Sequence, residues 1–499
     1  SCIVKKHMLR GLQRFICSIM VFLLVVGQPV FASGTARTDS PYFNSLMDFI
    51  QDQYHGEVSE EELFEGAVRG MFDTLDRYSV FMDHEEKEEF YGSISGNFGG
   101  IGVTIQESDD FVVVTKVFSG SPAEKAGILQ GDIIVEANGT NLVGASVNSV
   151  SGVIRGEAGT IVRLGILRSG NPEIQYVDVV REIVKINPVT YENRNGIGYI
   201  KVETFNSNTH EYFTEALEYF DKRGITNLVL DLRNNPGGEM IQAVSLASKF
   251  VPEGPITYLD FKSEMYVDVE YHSDLKEQKY KLAVLVNGNS ASASEIVAGA
   301  IQDTGAGKLI GTKTFGKAKV QNAIPILTLE AYNKYREQYG IDTVNVYELR
   351  HYGINPDQDE IYGYAQMTLG LYYTPDGKMI EGTGITPDIS VDDPEYIDGV
   401  DILDIERLSR TGTFEPGSKG SDIIDAKLIL RLLGYDITEL NINFDEEFES
   451  ALKEYQSSKK IKPTGILDVK TQIFLNADLL ELILKYDGQY AAAVKYLKS

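Results

Sequence analysis

Cysteine is almost absent from this 499-residue sequence, because its two cysteines, Cys2 and Cys17, both lie close to the first residue. The rest of the chain therefore offers no thiol nucleophile, no disulfide and no cysteine metal site. Positive charge is also scarce: 46 Lys and Arg residues face 73 Asp and Glu residues, for a formal net charge of -27. This balance argues against nucleic acid as a partner and predicts an acidic surface.

Histidine, the commonest catalytic base, is scarce as well, with 6 residues in the whole chain. None of those beyond residue 32 stands in a sequence context typical of a catalytic histidine. His210 comes closest, but it begins a predicted helix and is expected to face solvent. A nucleophilic serine in this chain would therefore need another base. A lysine can serve if burial lowers its pKa.

The apolar stretch from Phe15 to Val26 is short for a transmembrane helix, which needs roughly 20 residues. Four basic residues precede it, and the small residues around Val30-Phe31-Ala32 are typical of a signal peptidase site. We therefore predict that residues 1–32 form a signal peptide or a membrane anchor. The protein is expected to be exported and to act outside the cytoplasm, either secreted or associated with the membrane or cell wall.

Helices are predicted for residues 40–92, where apolar side chains recur at helical spacing from Leu63 to Phe72. The acidic run HEEKEEF, residues 84–90, has carboxylates close enough in sequence to suggest a metal site. Such charge runs are more typical of a solvated helix face. We therefore predict an N-terminal helical segment and no metal.

Residues 93–183 combine glycine-rich turns with short apolar strands, in the stretches GNFGGIGVTI and SPAEKAGILQGDIIVEANG. Together they resemble a PDZ domain, a mostly β domain that binds peptide C-termini. Successive N–H groups of its glycine loop would bind a terminal carboxylate, and the peptide would add as a strand. The peptide-binding residues that the resemblance implies are Gly100, Ile101, Gly102, Val103, Val147 and Val150.

Residues 184–400 alternate predicted strands and helices, as in an α/β domain, with a charged and tyrosine-rich insertion near 327–364. Within the insertion, NPDQDEIYG lacks the glycine that an EF-hand requires at its sixth loop position. Short amphipathic helices are predicted for residues 415–490. Their order of LxxLGY, ALxxYQ and PTGxLDxxT resembles a small helical peptidoglycan-binding module, with a generic helical tail as the alternative.

Three serines alternate with alanines in NGNSASASEI, residues 287–296, directly after the predicted buried strand KLAVLV. The stretch could be an inert helix start, or one serine could be a nucleophile. Lys317, between glycine and alanine in TFGKA, is a candidate base. The same region satisfies the phosphate-loop spacing G-x-x-x-x-G-K, but Ala318 stands where magnesium needs a hydroxyl, and a strand rather than a helix follows.

Several motifs together resemble the carboxyl-terminal processing peptidases, or tail-specific proteases, of peptidase family S41. They are LDRYSVFM, GNFGGIGV, LDLRNNPGG, SASASEIVAGAIQD, TFGKAKVQ and YYTPDGKMIEGTGITPDI. The resemblance covers roughly residues 40–395. It implies a multidomain α/β protein with N-terminal helices, a PDZ domain, a crotonase/ClpP-like serine peptidase core and a small helical C-terminal module.

The resemblance also implies roles for individual residues. Ser292 would be the nucleophile, Lys317 the general base, and Gln321 would orient the lysine. The oxyanion hole is predicted to use the Ala293 N–H and a second donor from Gly237 or Gly238, whose lack of side chains lets substrate approach. This chain departs from the family at Ala318, where glycine is usual, and in its longer insertion.

The predicted function is an exported serine endopeptidase that uses a Ser-Lys dyad and needs no cofactor. Its expected partners are proteins or peptides with free apolar C-termini and, through the last module, peptidoglycan. Nucleic acid is not expected as a partner, and the sequence leaves open whether the protein forms a homodimer. One alternative is a catalytically silent adaptor that carries PDZ and cell-wall modules. Another is an acyl-transforming enzyme of the related crotonase-like fold, for which a PDZ domain has no evident purpose.

Overall fold

The computed structural model describes residues 40–499, so the predicted signal segment 1–32 lies outside the described residues. The chain starts with helices α1 Ser40–Gln53 and α2 Glu60–Asp73, strand β1 Val80–Met82 and helix α3 His84–Ser95. Helix α2 begins where Ser59 and Glu62 exchange side-chain and backbone hydrogen bonds. The glutamates of the acidic run lie exposed on α3, as expected. Among the described residues, every helix is too short or too polar to cross a bilayer.

The segment predicted to be a PDZ domain is an antiparallel sheet with two short helices. Its elements are β2 Asn97–Gly100, β3 Val103–Ser108, β4 Phe111–Val117, α4 Pro122–Lys125, β5 Ile133–Ala137, β6 Thr140–Asn141, α5 Val147–Ile154, β7 Ile161–Arg168, β8 Asn171–Val180 and β9 Glu182–Lys185. The sheet runs in the order β3-β4-β5-β7-β8, and β2 pairs with β9. Strand β3 lies at an edge, beside helix α5.

The α/β domain contains two sheets. Its elements are β10 Val189–Arg194, β11 Ile197–Val202, α6 Thr209–Asp221, β12 Asn227–Asp231, α7 Met240–Ala247, β13 Gly254–Phe261, β14 Val269–Ser273, β15 Lys281–Val286, α8 Ala293–Asp303, β16 Lys308–Gly311, β17 Lys319–Leu327, α9 Leu329–Tyr339, α10 Val346–His351, β18 Ile361–Tyr373 and β19 Ile389–Ser390. The main sheet, β10-β11-β12-β15-β16-β19, is parallel except for the β10–β11 pair. Helices α6, α7 and α8 cover one face of it.

The second sheet is antiparallel. The strand predicted after Ala318 is its β17, which runs through Pro325 to Leu327 and is paired with β18 along its length. The predicted insertion contains two helices, α9 and α10, which pack on β17 and β18 around buried Tyr335 and Leu349. Its last residues, from Ile361, already belong to β18. The insertion is therefore part of a packed layer.

The C-terminal module forms one hydrophobic core with the α/β domain. Its helices are α11 Ser421–Leu432, α12 Glu446–Ser458, α13 Val469–Tyr486 and α14 Gly488–Lys498, so the last helix runs past the predicted end at residue 490. Side chains of the main sheet that point away from α6–α8, such as Val229 and Leu285, pack against this module. The apolar residues on both faces of the buried strands are explained by this second cover.

Candidate active site

Ser292 lies on a sharp turn between strand β15 and helix α8. Its backbone has φ 56° and ψ -114°, a left-handed conformation that is rare for a residue with a side chain. Such backbone strain costs about 1–3 kcal/mol and persists where surrounding contacts enforce it. A serine on a strained strand-to-helix turn is the arrangement of a nucleophile elbow, which presents the hydroxyl at the helix start.

The two neighbouring serines hold this turn in place. Ser290 is fully buried; its Oγ accepts from the Asn287 N–H and donates to the Leu232 carbonyl at 2.8 Å. Ser294 is also fully buried and donates to the Asn235 carbonyl at 3.0 Å. Both hydroxyls are therefore occupied by structural hydrogen bonds, which leaves Ser292 as the candidate nucleophile.

The predicted oxyanion donors lie beside Ser292. A Cβ added at Gly237 would come within 2.9 Å of the Ser292 Cβ and 3.1 Å of the Ala293 nitrogen, so only glycine fits there. The Gly237 N–H donates to the Asn235 side chain at 2.9 Å. Within residues 40–499, the N–H groups of Ala293 and Gly238 have no hydrogen-bond acceptor. Gly238 is therefore the better second donor of the two glycines.

Glu295 joins the nucleophile turn to the lysine loop, a role that the sequence reasoning missed. Its carboxylate is fully buried, and Oε2 accepts from the N–H groups of both Ser292 and Lys317 at 2.9 Å. Oε1 accepts from the Gly316 N–H and the Thr314 hydroxyl at 2.7 and 2.6 Å. Burial raises the pKa of Glu295, although these four donors act in the opposite direction. The spacing S-x-x-E from Ser292 is a capping-box signal that could have identified it.

Tyr372 is the second connection between the two segments. Its buried hydroxyl contacts the carbonyl oxygens of both Ser292, at 3.0 Å, and Lys317. Since a phenol has one proton, it donates to one of these carbonyls at a time. Tyr372 lies in strand β18, about eighty residues beyond the serine, so local sequence gave no signal for this contact.

The Lys317 side chain is half-buried, and its Nζ lies 4.1 Å from the centroid of the Tyr78 ring. Burial, followed by the positive charge of Arg77, lowers the pKa of Lys317; the carboxylates of Glu381 and Asp76 act against this. In this conformation, the hydrogen bonds of residues 40–499 do not include one between Lys317 Nζ and Ser292. Catalytic hydrogen bonds often tighten only when substrate is bound.

Gln321 is not bound to Lys317 in this structure. Its side-chain amide donates to the Thr368 hydroxyl at 3.2 Å, and Thr368 in turn donates to Asp76 at 2.8 Å. Asp76 also pairs with Lys319 at 3.1 Å. Desolvation would raise the pKa of Asp76, but its hydrogen bonds outweigh this and lower the pKa to about 2. The predicted role of Gln321 as the group that orients Lys317 stays a prediction.

Ala318, the departure from the family glycine, fits the lysine loop. The loop turns at Gly316, whose φ is 88° and whose missing Cβ would lie 2.8 Å from the Gly384 nitrogen. Ala318 is fully buried, donates its N–H to Glu381 at 2.6 Å and accepts from the Tyr372 N–H at 2.9 Å. The turn therefore depends on Gly316, and alanine at 318 leaves it intact.

The predicted peptide-binding residues of the PDZ segment divide into two groups. Gly100 ends strand β2, and Ile101 and Gly102 form the turn into edge strand β3, which begins at Val103; Gly102 has φ 81°. Val147, at the start of α5, is half-buried and packs against the same core as Val103 and Ile105 of β3. Val150 is instead completely buried in the core of this segment, so it has no surface to offer a peptide in this conformation.

The described residues offer few other candidates for a metal site or a catalytic pair. Among residues 40–499, the His, Cys, Asp and Glu side chains form no cluster of three or more suited to a metal ion. His210 is exposed, as expected, with Nδ1 2.6 Å from the Ser245 hydroxyl. Ser245 lies inside helix α7, so it lacks the free helix-start N–H groups that adjoin Ser292.

Four family models match the chain. Peptidase family S41 matches residues 196–391, and the PDZ domain matches residues 113–168. The N-terminal domain of the activating protease CtpB matches residues 34–86, and a peptidoglycan binding domain matches residues 419–475. These matches confirm the predicted PDZ domain, peptidase core and peptidoglycan-binding-like module, and with the observed helices and sheets they confirm the predicted fold class.

Curated relatives match over nearly the whole chain. The "Carboxy-terminal processing protease CtpA" of Bacillus subtilis (strain 168) is 31% identical over 477 residues, which are 95% of this chain and 93% of the relative. A "Probable CtpA-like serine protease" of Staphylococcus epidermidis is 31% identical over 476 residues, 95% of this chain and 88% of the relative. A solved structure of the photosystem II D1 C-terminal processing protease is 27% identical, covers 70% of this chain and 88% of its own, and has a TM-score of 0.38.

Proposed function

This chain belongs to the carboxyl-terminal processing proteases of peptidase family S41, and from that premise we propose that it is an exported endopeptidase with a Ser292–Lys317 dyad. The observation that carries the proposal is the shared buried carboxylate of Glu295, on which the Ser292 and Lys317 N–H groups converge. Because the Ser292 turn and the Lys317 loop are both hydrogen-bonded to Glu295 Oε2, the distance between them is fixed. In this proposal the Lys317 side chain rotates from the Tyr78 ring towards the serine hydroxyl.

In the proposed reaction, neutral Lys317 accepts the proton of the Ser292 hydroxyl while Oγ attacks the scissile carbonyl carbon. The resulting oxyanion receives hydrogen bonds from the Ala293 and Gly238 N–H groups, each worth roughly 3 kcal/mol in comparable sites. The C–N bond breaks as the lysine ammonium returns the proton to the leaving amine. Water, deprotonated by Lys317, then hydrolyses the acyl-enzyme.

The lowered pKa of Lys317 supports this assignment. A lysine can act as a base only in its neutral form, and burial together with Arg77 increases the neutral fraction at a given pH. Contact with the Tyr78 ring holds the amine near the site, where it can exchange this resting contact for one with Ser292.

Substrate recognition is proposed to use the edge of strand β3. Within the described chain this edge carries no paired strand, so a peptide can add there by main-chain hydrogen bonds. The Ile101 and Gly102 N–H groups lack acceptors among residues 40–499 and would bind the terminal carboxylate. Val147 would contact an apolar side chain of the peptide.

A location at the cell envelope is proposed from the basic and apolar start of the sequence together with the peptidoglycan binding match. Fractionation of expressing cells tests this proposal. Protein in the cell-wall or medium fraction, and its binding to purified peptidoglycan, would support it. Accumulation of the full-length chain in the cytoplasm alone would contradict it.

The decisive experiment compares wild type with Ser292→Ala, Lys317→Ala and His210→Ala, each lacking residues 1–32. The substrates are unfolded β-casein and a peptide with an apolar C-terminus, free or amidated. We expect cleavage only by wild type and His210→Ala, and slower cleavage of the amidated peptide. Activity that survives in Ser292→Ala would refute the dyad, and equal cleavage of both peptides would refute carboxylate capture. A folded but inactive wild type would favour the adaptor.

A further inference from the structure

The C-terminal module contacts the loop that carries the glycines of the proposed oxyanion hole. Arg233 precedes Gly237 and Gly238 in this loop, which follows strand β12. Its guanidinium reaches across to the junction of α13 and α14, where Nη1 donates to Asp487 at 2.9 Å and to Gln489, in the first turn of α14, at 3.0 Å. The loop therefore has two hydrogen-bonded partners in a part of the chain more than 250 residues away.

This contact is buried and charged. The side chains of Arg233 and Asp487 are each 3% exposed, and the remaining guanidinium nitrogens donate to Asp231 at 2.7 and 3.0 Å. Gln489 is fully buried and donates its own amide to the Val391 carbonyl at 3.0 Å. Among the described residues, the acceptors of Nη1 lie only in the module, and a buried donor that loses its acceptors is destabilised, so the geometry of Arg233 depends on the module.

Asn235, two residues after Arg233, connects this loop to the turn that carries Ser292. The Asn235 side chain accepts from the Gly237 N–H at 2.9 Å, which fixes the glycine turn. Its backbone carbonyl accepts from the Ala291 N–H and the Ser294 hydroxyl, both at 3.0 Å. The loop thus lies between the module on one side and the Ser292 turn on the other.

We propose that Asp487 and Gln489 are positioning residues for catalysis: through Arg233 they align the Gly238 N–H with the oxyanion. The module is then a working part of the peptidase, in addition to any cell-wall ligand it binds. Loss of its contact leaves substrate binding unchanged and weakens stabilisation of the transition state. This inference depends on the proposed Ser292 site.

The test uses the full chain without residues 1–32 and the substitutions Asp487→Asn and Gln489→Met. The matched control is Asp478→Asn, because Asp478 is likewise a buried carboxylate paired with a cation. It accepts hydrogen bonds from Lys459 at 2.7 Å and from the Tyr455 hydroxyl at 2.6 Å, both within the module. Asparagine at 487 keeps an acceptor for Arg233 and removes only the charge, so the variant is expected to fold. Circular dichroism is used to find a temperature at which all variants are folded, and activity is measured at that temperature.

Two readouts separate positioning from stability: kcat and KM on a peptide with a free apolar C-terminus, and inhibition by a peptide aldehyde, whose adduct with Ser292 uses the oxyanion hole. We expect Asp487→Asn and Gln489→Met to lower kcat roughly tenfold or more at constant KM, and to weaken aldehyde inhibition by a similar factor. The control should match wild type in both.

Equal kcat in Asp487→Asn and Asp478→Asn, or a change confined to KM, would overturn the inference. These outcomes differ from failure of the proposed site itself, which would appear as cleavage that survives Ser292→Ala. In that case the aldehyde would also have no Ser292 adduct to form, and the inference would fall with the site.

Discussion

The substitution Glu295→Gln tests the connection between nucleophile and base most directly, because it replaces one oxygen of a buried carboxylate by an NH2 group. All four contacts of this carboxylate are donors. Glutamine keeps one accepting oxygen, which would face the Ser292 and Lys317 N–H groups. Its NH2 group would then face Thr314, whose hydroxyl can turn to accept, and the Gly316 N–H, which loses its acceptor.

The expected magnitude follows from this geometry. A buried N–H without an acceptor costs about 1–3 kcal/mol, and loss of the charge weakens the remaining bonds by roughly 1 kcal/mol. The strained φ of Ser292 depends on these contacts. If about half of the lost 2–4 kcal/mol is felt in the transition state, kcat falls roughly fivefold to thirtyfold.

The assay combines peptide cleavage with hydrogen exchange measured by mass spectrometry on peptides that contain Ser292 and Lys317. We expect faster exchange in both peptides together with the lower kcat. Glu360→Gln is the control, because Glu360, like Glu295, is a carboxylate that accepts several hydrogen bonds. Its donors are a backbone N–H, a lysine and a tyrosine hydroxyl, all within the insertion. Normal kcat and normal exchange in Glu295→Gln would refute the proposed role of Glu295.

Four further substitutions test the lysine loop. Arg77→Gln removes a positive charge that lowers the pKa of Lys317, so the rise of kcat/KM with pH should shift to higher pH; Glu381→Gln removes a negative charge and should shift it to lower pH. Shifts of the same sign in the two pH profiles would contradict Lys317 as the base. Gly316→Ala should inactivate the enzyme, since its φ is 88° and its Cβ would approach Gly384. Ala318→Gly should retain activity and lose about 1 kcal/mol of stability, seen as a lower melting temperature.

Local sequence patterns determined the domain order and the family. The glycine turns of the PDZ segment, the buried strand before Ser292 and the S-A-S-A-S alternation are short-range features, and each depends on backbone conformation or on the burial of neighbouring residues. Such features can be recognised in a single sequence. The observed fold and the family matches confirm the α/β architecture and the peptidase family that were predicted from them. The roles of Ser292, Lys317 and Gln321 stay predictions, since they concern chemistry that no local pattern measures.

The contacts that join distant segments were decided by the tertiary structure alone. Tyr372 approaches both Ser292 and Lys317 because β18 pairs with β17, and sequence spacing does not reveal that pairing. Arg233 and Asp487 meet because the C-terminal module covers the second face of the main sheet. An apolar strand indicates that something must cover it, but it does not specify which part of the chain does so. That choice depends on the packing of the whole molecule.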